Sequence, residues 1–174
     1  MNEPSATKAP GPSLLRIILI GRRPRNTFVR IVVLVVACVI VFGFVLLPIR
    51  IEGVSMQPTY HDQQINFVNR LAYIRHEPRR GDVVSIMLAG HSIMYMKRIV
   101  GLPGETIAFS QGKLLINGEI LIEPYVKNHC DWEIAPVTLG TNQFYVVGDN
   151  RDMPEKNHEK GVAERWRIVG KVLL

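Results

Sequence analysis

Cysteine is scarce in this 174-residue chain, which carries only Cys38 and Cys130. That excludes a small scaffold stapled by disulfides. Histidine is thin too: the five copies at 61, 76, 91, 129 and 158 show no HExxH and no paired spacing, so the common zinc arrangements are missing. His129-Cys130-Asp131 is compact, but neighbours along a strand point to alternate faces, which argues against one shared metal. No GxxxxGK[ST] and no GxGxxG occurs, so the usual nucleotide cradles are absent. Neither a metal nor a cofactor is expected.

Acid is nearly missing from the head of the chain. Residues 1–30 hold six basic side chains (Lys8, Arg16, Arg22, Arg23, Arg25, Arg30) against Glu3, whereas the other 144 residues carry 15 basic and 14 acidic groups. A nucleic-acid surface needs its cations on the folded domain; here they are confined to the head, so no nucleic-acid partner is expected. Charge then vanishes altogether. Ile31–Leu47 reads IVVLVVACVIVFGFVLL, and with its flanks the apolar segment 28–49 runs 22 residues. As a helix rising 1.5 Å per residue, that length crosses a hydrocarbon core of roughly 30 Å. A cleavable signal peptide is the rival reading. Its apolar region spans about 7–15 residues and ends in small residues, whereas this one ends Leu-Leu-Pro-Ile-Arg.

The expected organisation is a cytoplasmic basic tail at 1–27, a transmembrane anchor at 28–49 and an extracytoplasmic domain at 50–174, oriented by the positive-inside rule. Within the tail, 4–13 reads as disordered and Leu14–Ile20 as a segment lying along the membrane surface. The lipid bilayer is therefore one partner, at the plasma membrane. Cys38 falls inside the anchor and Cys130 far beyond it, so they are not expected to pair; Cys130 reads as a buried thiol or as a link to another chain.

Beyond Arg50 the pattern is short β-rich runs between turns: 65–68, 83–87, 93–100, 106–109, 114–116, 120–122, 144–147 and 167–174. Asn117-Gly118 between Leu114–Ile116 and Ile120–Leu121 predicts a hairpin with a type I′ turn. No helix is expected after the anchor. The domain reads as all-β, a closed or partly closed antiparallel barrel.

Four strings stand out in order. They are Gly53-Val54-Ser55-Met56-Gln57-Pro58-Thr59, Gly81-Asp82-Val83, Tyr95-Met96-Lys97-Arg98-Ile99-Val100-Gly101-Leu102-Pro103-Gly104-Glu105, and Gly148-Asp149-Asn150-Arg151-Asp152. Behind one N-terminal anchor, they resemble the type I signal peptidases, membrane-bound serine proteases with a Ser-Lys dyad. The resemblance implies Ser55 as nucleophile and Lys97 as general base. It also implies precursors of secreted proteins as substrates, cut after small residues of the Ala-X-Ala type, with extended substrate adding as a β-strand. A lysine takes a proton only when neutral, so its ordinary pKa of about 10.4 has to fall toward working pH. Strand alternation puts Tyr95 and Ile99 on the face of Lys97, making desolvation the expected cause.

The same resemblance puts the oxyanion and substrate-binding region at Gly53, Ser55 and Met56. Some relatives carry a hydroxyl at the position of Gly53; here the donor is absent or replaced by a backbone group, or the glycine serves close substrate approach. Pro58, Arg98, Gly148, Asp149 and Asn150 are expected to be structural, close to the site. After Asn150 the chain departs from the family. Pro154, Lys156 and His158 stand where serine, aspartate and arginine are expected, and Lys160 replaces an aromatic residue. That removes the expected partner of Lys97, so its orientation is left to apolar packing, backbone carbonyls or water. Arg151 and Asp152 read as a local surface pair. Two alternatives remain open: a specialised peptidase of the same family with a single substrate, and a non-catalytic membrane-tethered partner subunit that keeps the fold.

Overall fold

A computed structural model describes residues 24–87, 94–128 and 130–173. The tail segments 4–13 and 14–20, His129, and the outer ends of two expected strands (Ile93, Leu174) lie outside these. The chain divides into two units, 1–41 and 42–174.

The first unit contributes one helix, α1 (Pro24–Ile40). From Phe28 to Ile40 its side chains are exposed, Val33, Leu34 and Val39 among them. The helical path continues as a π-turn, Val41–Val45. The stretch Arg25–Val45, 21 residues with mean hydropathy 3.0, is long and apolar enough to cross a membrane by length and composition.

Helix does not continue through the rest of the apolar run. Leu46–Arg50 is strand β1, paired antiparallel with β2 (Ile65–Asn69). An uninterrupted apolar run does not separate buried strand from helix by periodicity, and Pro48 lacks the N–H that a helix interior needs.

The remaining strands are β3 (Val83–Met87), β4 (Met94–Gly101), β5 (Thr106–Ser110), β6 (Lys113–Ile116), β7 (Glu119–Ile120), β8 (Ile134–Thr138), β9 (Gln143–Val147), β10 (Gly161–Glu164) and β11 (Ile168–Val172). They form a seven-stranded sheet, β1-β2-β11-β3-β4-β9-β10, and a four-stranded one, β7-β6-β5-β8, with antiparallel pairing throughout. The all-β expectation holds. The sheets stay open among the described residues, so the barrel closure anticipated from the sequence is replaced by two separate sheets.

The larger sheet is buried on both faces at β9 and the second half of β4, which explains why β9 reads as a near-continuous apolar run. Ile99, Phe144 and Val146 pack with Val84, Ile86, Ala163 and Ile168. On the opposite face Val100, Tyr145 and Val147 join Ile107, Phe109, Leu114, Trp132 and Leu139, which cement the smaller sheet to it. A third cluster, Ile51, Met56, Tyr60, Val68, Val83 and Val172, underlies the loop after β1. The expected hairpin is present: Asn117 and Gly118 take φ of 53° and 86°, with Ile116 opposite Glu119.

Phe109 is buried in the cluster between the sheets, its ring 5.4 Å from that of Trp132. Phe109→Ala should cost about 3–5 kcal/mol of stability, read as a lower urea midpoint for the full chain in detergent. A loss below about 1 kcal/mol would mean that this cluster does not join the sheets.

Candidate active site

The site begins with alternation along β4. Adjacent strand residues point to opposite faces, so Lys97 and Arg98 serve two different neighbourhoods. Lys97 Nζ lies 2.8 Å from Ser55 Oγ. Its side chain is only 4% exposed, and burial pushes its pKa below the ordinary lysine value, opposed by the Glu159 carboxylate nearby. The Tyr95 ring stands 5.8 Å from the ammonium nitrogen. Desolvation is thus the leading cause, as the apolar strand implied.

Arg98 turns the other way. Its Nε and Nη2 donate to Asp149 Oδ1 and Oδ2 at 2.8 and 2.6 Å, and Nη1 donates to the Gly81 carbonyl at 2.8 Å. The guanidinium lies 4.0 Å from the Tyr125 ring centroid, and Thr59 Oγ1 donates to Asp149 Oδ2 at 2.5 Å. A fork-to-fork pair of this kind adds geometric specificity to energy. It ties β4 to the turn after β9 and to the loop that carries Ser55.

That turn holds Ser55 directly. Asn150 N donates to the Ser55 carbonyl and its Nδ2 to the Val54 carbonyl, each at 3.0 Å. Gly148 is needed for close approach: a Cβ there would meet Ser55 O at 2.2 Å and His158 Nε2 at 2.8 Å. Gly53 has another reason to be glycine. Its φ of +97° lies in the left-handed region, while the space beside it is open. Its N–H is engaged by Asp62 Oδ1 at 2.8 Å, and this contact pulls the Asp62 pKa down. Met56 is 2% exposed and packs beneath the loop. Pro58 follows a cis peptide inside the turn that Tyr60 N closes onto the Met56 carbonyl at 3.0 Å.

The loop that departs from the family folds around other contacts. Arg151 does not pair with Asp152 at the surface. It is buried, forked onto Glu123 at 2.9 and 2.6 Å, with its Nε donating to the Gly148 carbonyl at 2.9 Å. Asp152 instead accepts from Asn128. Lys160 pairs with Glu155 at 3.2 Å and lies 5.1 Å from the Trp132 ring centroid. Glu123, Tyr125 and Thr59 are site residues that sequence reasoning misses. Thr59 sits inside a recognised string, whereas Glu123-Pro124-Tyr125 carries no pattern from which its partners can be read.

Above the dyad lies a cleft of about 650 Å³, walled by β1 and the following loop, by the start of β4, and by Met153, Asn157 and Glu159. Between Met94 and Lys97, β4 pairs only with β3 among the described residues, because pairing with β9 begins at Arg98. β1 is an edge strand of the sheet. The cleft thus lies beside two strands with unpaired backbone, which suits an extended peptide.

A serine hydroxyl in contact with a buried amine, on an open two-sheet scaffold, belongs to the class of β-rich serine endopeptidases. Comparison with known proteins narrows the class. Residues 25–174 match the model of the family described as signal peptidase, peptidase S26. Signal peptidase I S of Bacillus subtilis strain 168 is 36% identical over 152 residues, covering 80% of this chain and 82% of that protein. Signal peptidase I T of the same strain is 35% identical over 165 residues, covering 86% of each. A crystal structure of a signal peptidase I from Enterococcus faecalis aligns with TM-score 0.46 and 23% identity, over 56% of this chain and 97% of that one. The chain belongs to the signal peptidase S26 family.

Removing one partner of a buried ion pair leaves the other charge uncompensated. Arg98→Ala should therefore cost about 3–5 kcal/mol, measured by denaturant unfolding. An unchanged midpoint would show that Asp149 is held by Thr59 and its turn alone.

Proposed function

We propose that this chain is a membrane-anchored signal peptidase in which Ser55 attacks the scissile carbonyl and Lys97 is the general base. The observation that carries the reading is the 2.8 Å contact between Lys97 Nζ and Ser55 Oγ beneath an open cleft, with the amine desolvated. The neutral amine takes the Ser55 proton as the Oγ–C bond forms. Charge then develops on the carbonyl oxygen, and the Ser55 backbone N–H is its donor; the Gly53 N–H is already engaged by Asp62. The Lys97 ammonium returns its proton to the leaving amine as the peptide bond breaks. The amine, neutral again, deprotonates the water that releases the acyl group.

The substrates on this reading are precursors of secreted proteins, cut after Ala-X-Ala-type small residues. Substrate binds as a strand against β1 and the open edge of β4. Because Met153, Asn157 and Glu159 line the cleft, the loop that departs from the family also shapes the substrate wall. That favours a narrower substrate range over a non-catalytic role.

The anchor is the helical part of the apolar segment, up to Val45, because 46–49 belong to β1 of the exported domain. Residues 1–27 lie in the cytoplasm and the domain from Leu46 onward outside. The basic head supports that orientation, and the exposed Ile65, Leu71 and Ile74 suit a domain working at a lipid surface. Protease added to intact spheroplasts should digest the domain. Full protection until lysis would reverse the orientation.

For the dyad, Ser55→Ala and Lys97→Ala should each abolish cleavage of an Ala-X-Ala precursor by purified protein in detergent, and their effects should not add. Lys97→Arg should fail as well, because a guanidinium stays charged and does not accept the proton. Lys97→Ala should leave stability equal or raised, since it removes a desolvated amine. The wild-type rate should rise with pH through the depressed Lys97 pKa, because the neutral amine is the active form. Substantial activity in Lys97→Arg would refute the base.

A further inference from the structure

His158 stands where an arginine is expected from the family pattern, and it does something an arginine does not do. Its Nε2 accepts the backbone N–H of Gly148 at 2.8 Å, in a buried setting. An amide N–H only donates, so Nε2 presents its lone pair and the neutral ring carries its proton on Nδ1. The ring packs edge-on against Trp132 at 4.7 Å between centroids. On its other side the chain is crowded: His158 Nε2, the Gly148 backbone and the Ser55 carbonyl are stacked with no room for one added methyl group.

Resting on the function proposed above, we propose that His158 is a positioning residue. As a neutral acceptor it sets the Gly148–Asn150 turn, and through that turn the backbone of the nucleophile Ser55. The path is short and continuous. His158 fixes the Gly148 N–H, Arg151 fixes the Gly148 carbonyl, and Asn150 two residues on grips the carbonyls of Val54 and Ser55.

The surroundings keep the acceptor available. Burial, with Lys97 on β4, Arg151 after the turn and Lys160 before β10, pushes the His158 pKa down to about 3, while the Asn150 backbone carbonyl pulls weakly the other way. The exposed Glu159 carboxylate is the adjacent residue in sequence. An arginine here has no lone pair and would turn a cation toward the Gly148 N–H. The residue that looks like a degraded family position therefore works with its own chemistry.

The test uses the full chain in detergent, with His158→Gln, His158→Ala and His158→Arg. A displacement of the nucleophile should lower kcat by up to about 100-fold in His158→Ala and His158→Arg with KM little changed. His158→Gln, whose Oε1 also accepts, should keep most of the rate. In His158→Arg the added fixed charge beside Lys97 should also move the acidic limb of the rate–pH profile to lower pH, while the plateau falls. Equal loss in all three variants, or arginine performing as well as glutamine, would overturn the proposal. If the wild type cleaves no precursor, the functional reading falls instead, and imidazole nitrogen NMR still decides the inference. It should find the Nδ1-protonated tautomer, with Nε2 coupled to the Gly148 amide and no titration between about pH 5 and 8. A ring titrating near its ordinary pKa would refute the acceptor role.

Discussion

The buried pair between Arg98 and Asp149 is the contact on which the site depends. Asp149 accepts from Arg98 twice and from Thr59 once, and the guanidinium places a third N–H on the Gly81 carbonyl and its face on Tyr125. Such a pair offsets its own desolvation only when nearly every lone pair and proton is satisfied. What it supplies is placement, because β4, the turn after β9 and the loop carrying Ser55 have no other common anchor of this kind among the described residues.

Placement matters because Lys97, the partner of Ser55, is adjacent in sequence to Arg98. Lys97 and Arg98 are consecutive cations whose environments have opposite electrostatics. Arg98 is forked onto Asp149 and stays charged. Lys97 is desolvated, with the nearby Glu159 carboxylate opposing the shift, and its amine is moved toward neutrality. Strand geometry alone produces this division, since one residue along β4 exchanges one face for the other. A slip of one residue in the pairing of β4 with β3, where Val84 lies opposite Lys97, would exchange the two roles and lose both.

The loop after Asn150 shows how a fold keeps a function while losing familiar residues. Aspartate and arginine are replaced, yet Lys160 with Glu155 and Trp132, and Arg151 with Glu123, rebuild a framework of charge and aromatic contact. The Arg151–Glu123 pair joins different parts of the chain and lies in the interior, whereas Lys160–Glu155 closes within the loop. The loop is held by local contacts of Lys160, Asn157 and His158 with Pro154 and Glu155 and by tertiary contacts to Trp132 and Gly148.

Much of the molecule is legible in its amino-acid sequence. The anchor is a local property of composition, the Asn117-Gly118 hairpin a local property of φ, and the pairing of Ser55 with Lys97 follows from the four strings in order. The depressed Lys97 pKa follows from its apolar strand neighbours. The three strands that the apolar runs do not reveal, β1, β8 and β10, are all edge strands. Of these, β1 and β8 carry Pro48 and Pro136, which strand propensity marks as breakers but a sheet edge tolerates. Only the tertiary structure decided that β1 leaves the apolar run, that Arg151 reaches Glu123, and that His158 faces Gly148. Composition, turn chemistry and alternation act within a few residues, so a sequence carries them openly. Partners brought together from opposite ends of the domain, and the burial that gives them their strength, exist only once the chain has folded.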